Sequence, residues 1–98
     1  MKIRKSLSIL GHKWTVKKVR RLKNKKGQVL YGECDYDNQV ISLNTAVCET
    51  LDRLQSTFIH ELFHAVAYSI NMNLEEEDVK LLEIGWHATI RDNKLFDN

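Results

Sequence analysis

Proline is absent from this chain of 98 residues, and no glycine lies between Asn44 and Asn73. Nothing in that interval breaks a helix. No apolar run reaches transmembrane length, so no membrane partner is expected. Leu7 to Leu10 is too short for the core of a secretion signal, and polar Gly11-His12-Lys13 follows at once. The chain reads as cytoplasmic. There are two cysteines, Cys34 and Cys48, and they are not in CxxC spacing. They read as reduced, part-buried thiols and not as metal ligands. Acidic residues are missing from the first thirty positions, which hold eleven Lys/Arg; positions 31–98 hold four Lys/Arg and thirteen Asp/Glu. Such a basic half can face an anionic partner or can simply be a solvated face that balances the acidic half. Base-stacking aromatics are also scarce there, Trp14 being alone. Nucleic acid is therefore not the expected partner.

What is present is an ordinary globular composition, 43% apolar and 29% charged, at a length that suggests one domain over residues 1–98. Its centre is His60-Glu61-Leu62-Phe63-His64, an H-E-x-x-H motif flanked by Phe58, Ile59, Ala65, Val66 and Ala67. On a helix the two histidines fall one turn apart on the same face. Both imidazoles can then reach one metal ion, with Glu61 beside it as a base.

Upstream, residues 7–20 read as a β-hairpin turning at Gly11-His12, with Trp14 and Val16 on one face. His12 is an exposed turn histidine. Residues 21–27 are a polar loop. Residues 31–35 and 39–43 form a second hairpin, whose Asp37-Asn38 turn tolerates left-handed backbone. Together the hairpins predict a small sheet of three or four strands, antiparallel throughout. Asn44 or Thr45 would cap a helix running from Ala46 or Glu49 to Asn71. Leu51, Leu54, Phe58, Phe63 and Val66 form its apolar stripe, and Tyr68 joins the core. A second helix starts near Leu74, with an acidic first turn, and presents Val79, Leu82, Trp86 and Ile90 to the core. The fold class is α+β, a sheet packed on a motif-bearing helix and a second helix.

A catalytic zinc takes three protein ligands and a water, so one ligand must come from outside the motif. Two helices joined by a short connection pack as an antiparallel hairpin. If the bend centres on residue 72 or 73, the position facing the histidine pair is 82 or 83. Glu83 lies there, within about 40° of Val79 on the apolar stripe at ~100° per residue. A carboxylate facing a core needs a partner or a metal. Glu83 is the third ligand this count selects. Glu76 and Glu77 lie nearer the bend, and Asp78 points away. His87, one turn past Glu83, is a further candidate as ligand, as hydrogen-bond support for one, or as a plain buried histidine. Tyr31 and Tyr36 are candidate hydrogen-bond donors to a transition state.

Ligands His60, His64 and Glu83 with an open fourth position would hold Zn2+ and a water, and Glu61 would take the proton of that water as it attacks a peptide carbonyl. The strand Gln39–Leu43 is a candidate edge for holding the substrate in extended form. In order along the chain, Tyr31-Gly-Glu-Cys-Asp-Tyr36, Val40-Ile-Ser-Leu43, Phe58-Ile-His-Glu-Leu-Phe-His-Ala65, Leu74-Glu-Glu-Glu-Asp-Val79, Leu82-Glu-Ile-Gly85 and Arg91-Asp-Asn93 resemble small phage-type or bacterial zincins of the gluzincin kind, allied to the ImmA/IrrE family. That resemblance implies a zinc metallopeptidase acting on a peptide or protein, with a transcriptional repressor as one substrate class. It assigns His60 and His64 as ligands, Glu61 as general base and Glu83 as the glutamate ligand. The metzincin pattern is excluded, because Ala67 and Ile70 stand where its glycine and third histidine belong. Two other readings stay open on sequence alone: a non-catalytic zinc-binding interaction module on the same fold, and a basic nucleic-acid-associated domain in which the motif is coincidental.

Overall fold

The computed structural model describes residues 2–96. In chain order it has strands β1 (Ser6–Ile9), β2 (His12–Val19), β3 (Gly32–Asp35) and β4 (Val40–Asn44), then helices α1 (Leu51–Ser69) and α2 (Glu76–Asp92). The class is α+β. Helix α1 lies against β1, β3 and β4, and α2 packs on α1. Among the described residues no helix is long and apolar enough to cross a membrane.

The first hairpin closes at the Ile9–His12 pair, so its loop is Leu10-Gly11. Both loop residues have positive φ, 50° and 82°, as a tight two-residue turn demands. Gly11 adopts it freely, while Leu10 costs about 1 kcal/mol. In the second hairpin Asp35 pairs with Val40, and the Asp35 carboxylate accepts from the Asn38 backbone N–H at 3.1 Å and from its side-chain amide at 2.9 Å. These bonds hold the Asp35 carboxyl below its usual range. The left-handed residue is Gln39 (φ 55°), not Asp37 or Asn38.

The sheet order is β1-β2-β4-β3, with β2 and β4 parallel. The sheet is thus mixed and not wholly antiparallel. The cause is the connection over residues 20–31, long enough to step over one strand position before β3 begins. The next strand then turns back into the gap, beside β2 and in the same direction. This corrects the expected substrate edge. The Gln39–Leu43 stretch has neighbours on both sides; of the two edge strands, β1 and β3, it is β3 that lies beside the motif residues of α1.

Register places Trp14, Val16, Ile41 and Leu43 on the inner face, where α1 brings Leu54, Phe58 and Ala65. Trp14, Ile41 and Leu43 are essentially inaccessible to solvent. Each large apolar side chain so buried contributes about 1.5–3 kcal/mol.

Helix α1 begins later than the propensity argument placed it. Thr50 is the cap, its hydroxyl accepting from the Arg53 N–H at 3.0 Å. Asn44 and Thr45 serve the sheet instead. Asn44 donates to the Leu30 carbonyl and accepts from the Ala46 N–H, and the Thr45 hydroxyl donates to the Val19 carbonyl. The helix ends at Ser69 because Asn71 turns left-handed (φ 56°) and the Met72 N–H returns to the Ala67 carbonyl at 2.8 Å. Leu51 and Tyr68, expected inside, are exposed. Helix α2 buries Val79, His87 and Ile90 and half-buries Glu83, while Trp86 is 47% exposed. Its inner face is therefore rotated away from the purely apolar stripe.

Candidate metal centre

His60 and His64 sit on α1 with ring centroids 5.0 Å apart. Both Nε2 atoms point at one carboxylate, that of Glu76. His60 Nε2 is 2.6 Å from Glu76 Oε1, and His64 Nε2 is 3.0 Å from Oε2. One ligand atom from each of His60, His64 and Glu76 can be chosen so that all three lie within 4.8 Å of one another. Glu76 is the first residue of α2, where the helix dipole favours an anion.

Glu83 does face the histidines, but from the other side. Its Oε1 lies 2.9 Å from His60 Nδ1, and its Oε2 accepts from the Ser56 hydroxyl. It therefore stands outside the group of side chains able to share one ion. The count from the bend was displaced by the early end of α1. His64 pairs with Glu76, Ser56 with Glu83, and Asp52 with His87, so the helices fold back about residue 70 and not 72 or 73. The same shift carries His87 away from the site. It is buried, with Nε2 3.3 Å from Asp52 Oδ1 but not aligned for a hydrogen bond.

The donor set fits a zinc ion. Nδ1 of His60 lies 2.9 Å from the Glu83 carboxylate, a contact that holds the ring with Nε2 turned toward the shared point. Two imidazole nitrogens and one carboxylate oxygen are what a four-coordinate catalytic zinc accepts.

Glu61 is almost fully buried between α1 and β3. Burial pushes its carboxyl up to about 7, against the opposing pull of nearby His60. A base poised there exchanges protons readily at neutral pH. The strand is brought close by Gly32. A Cβ at that position would lie 2.8 Å from Thr57 Cγ2 and 3.0 Å from Glu61 Cγ. The Cys34 thiol donates to the Glu61 backbone carbonyl at 3.0 Å. Burial and the Glu61 charge push that thiol well above its ordinary range. Cys34 and Cys48 are both free.

These groups line a cleft of about 840 Å³ between the β3 edge and the two helices. Tyr31 and Tyr36 also line it. Tyr36 stacks on Tyr68 at 4.5 Å, and burial pushes its phenol up to about 12. Sequence reasoning set Glu76 aside and missed Gly32 and Ser56. A glycine inside a short strand is a signal of close approach that Tyr31-Gly32-Glu33 carried. Ser56, one turn before His60, had no comparable signal.

Searches of curated proteins and of solved structures return no match. A family model, that of the SprT-like family, matches residues 4–79. This span takes in the whole sheet, α1 and Glu76, and ends before Glu83. The zincin-like character expected from the motif order is retained under that family. With its H-E-x-x-H helix, its convergent His60, His64 and Glu76, and a match over most of its length, the chain belongs to the SprT-like family of zincin-like metallopeptidase domains.

Proposed function

We propose that the protein is a zinc-dependent metallopeptidase that cuts an extended peptide segment held along β3. The observation that carries this reading is the convergence of two imidazole Nε2 atoms on Glu76 with buried Glu61 alongside. His60, His64 and Glu76 would hold the zinc. Glu83 and Ser56 fix the His60 ring from behind. When bound, the ion supplies Lewis acidity to a water and to the substrate carbonyl.

The chain's own residues do the rest. Glu61 accepts the proton of the attacking water and delivers it to the leaving nitrogen. Its burial favours the protonated form and so suits it to take the proton of that water. The free edge of β3 offers backbone groups to a substrate strand. Gly32 leaves room for that strand and the helix to lie close. The substrate class we infer is an exposed, extendable segment of a protein, a regulatory protein such as a repressor being one candidate.

The test is a purified chain assayed for bound metal and for cleavage of a mixed peptide library. Stoichiometric zinc and library cleavage are expected in the wild type. Glu61→Gln should keep the zinc and lose cleavage by at least about a hundredfold, the scale of a lost general base. A wild-type chain that binds no divalent ion, or one that is loaded and cuts nothing, overturns the reading.

A further inference from the structure

Arg53, Thr57, His60 and His64 recur at helical spacing along α1, and all four line the cleft. Arg53 lies seven residues before His60, about 10 Å along the axis. Its guanidinium sits over the Tyr31 ring, 5.4 Å from the centroid, and Tyr31 is half exposed. Stacking of this kind restrains a long side chain, so less freedom is lost when it meets a ligand. Among the described residues no carboxylate forms an ion pair with Arg53. Its neighbour Asp52 faces His87 and Arg91 instead.

The direction of a bound strand follows from β3. A Cβ on Gly32 would meet Thr57 and Glu61, Cys34 reaches the Glu61 carbonyl, and Tyr36 stacks on Tyr68. Strand β3 therefore runs the same way as α1. A peptide pairing with it antiparallel, the more stable mode per residue, runs the other way. Its C-terminal portion heads from the histidines toward Arg53. At about 3.4 Å per residue, 10 Å is roughly three residues, less the reach of a side chain.

We infer that Arg53, braced on Tyr31, is a specificity residue that receives an acidic side chain at the second or third position after the scissile bond. This rests on the peptidase reading above and adds to it the class of sequence that is cut. Arg53 takes no part in the proton transfers. It acts by a charge-assisted, two-pronged hydrogen bond to a carboxylate.

The experiment has two arms. Wild-type protein with zinc digests a peptide library, and one peptide that is cut is remade with Glu, Gln or Lys at the second and third positions after the cut. Binding of the three peptides to zinc-loaded Glu61→Gln protein is then measured by fluorescence anisotropy, so that affinity is read without turnover. The Glu peptide should bind roughly tenfold tighter than the Gln peptide, the worth of one good charged hydrogen bond. Adding Arg53→Glu should invert the order and favour Lys, which a mere loss of folding cannot do. Equal binding of the three peptides overturns the role of Arg53 and leaves the peptidase standing. An Arg53→Glu variant that weakens all three equally, or lowers zinc affinity in step, assigns Arg53 to bracing Tyr31 and also overturns it. If the wild type cuts nothing in the library, both this inference and the peptidase reading fall.

Discussion

Two carboxylates flank His60, and they differ in which ring nitrogen they meet. Glu76 meets Nε2 of both histidines, whereas Glu83 meets only Nδ1 of His60. Glu76→Ala would remove a candidate ion ligand and should lower zinc affinity by more than about a hundredfold. Glu83→Ala removes an orienting bond and should cost about tenfold. Competition with a chromogenic chelator ranks the two, and a larger loss at Glu83 would exchange their roles. Glu61 makes a separate prediction for the metal-free chain. Unfolded, its carboxyl ionises near 4.5; folded, near 7. Because the folded value is the higher one, this group opposes folding more as pH rises from 4.5 to 7, and fully above that. The whole effect is about 3 kcal/mol. Wild type should lose that much stability relative to Glu61→Gln between pH 4.5 and pH 8 in urea titrations. A pH-independent difference between the two would show that Glu61 is better solvated than its burial indicates. Gly32→Ala, whose added carbon meets Thr57 and Glu61, should destabilise by about 1–3 kcal/mol, read from the same titrations.

At the scale of elements, both helices were legible, but the way the second one faces the first was not. Helix α1 announces itself by an unbroken run and by histidines one turn apart. The sheet's strands were legible from alternation, but the parallel pairing of β2 with β4 was not, because nothing local says that the 20–31 connection skips a position. Helix α2 misled for a physical reason. Its most apolar stripe, through Leu82 and Trp86, is not the stripe it buries. The inner face holds Glu83, which Ser56 and His60 of α1 bond, and His87, whose Nε2 lies 3.3 Å from Asp52 Oδ1 without a hydrogen bond. The fold-back point was missed because Asn71, a left-handed stop, ends α1 sooner than a bend centred on Asn71-Met72-Asn73 implies. Extending α1 by removing that stop should therefore disturb the site. Asn71→Ala, strained at positive φ, should weaken zinc binding by shifting Glu76, and Asn71→Gly should not. Isothermal titration of both variants with zinc checks this, equal affinities being the outcome that excludes it.

On the scale of the molecule, the three candidate ligands join α1 to the start of α2, while among the described elements α2 otherwise packs only on α1. A zinc ion held there would be a clasp as well as a reagent. At a free concentration a thousand times the dissociation constant it should add about 4 kcal/mol to stability. Thermal unfolding with and without a strong chelator measures this, and coincident curves would place the ion's binding outside the folded state. One feature of the sheet sets a different constraint. A strand edge left open for a substrate is equally open to the same strand of another molecule, which is how sheet proteins aggregate. Strand β3 is only four residues long and carries Glu33 and Asp35. Two copies meeting along it in antiparallel register would bring acid near acid. The two acids of β3 would thus guard the molecule against itself. Replacing Glu33 and Asp35 with threonine should leave the fold intact while producing self-association that rises with concentration in sedimentation runs, and a monomeric double variant would show that the shortness of the strand suffices.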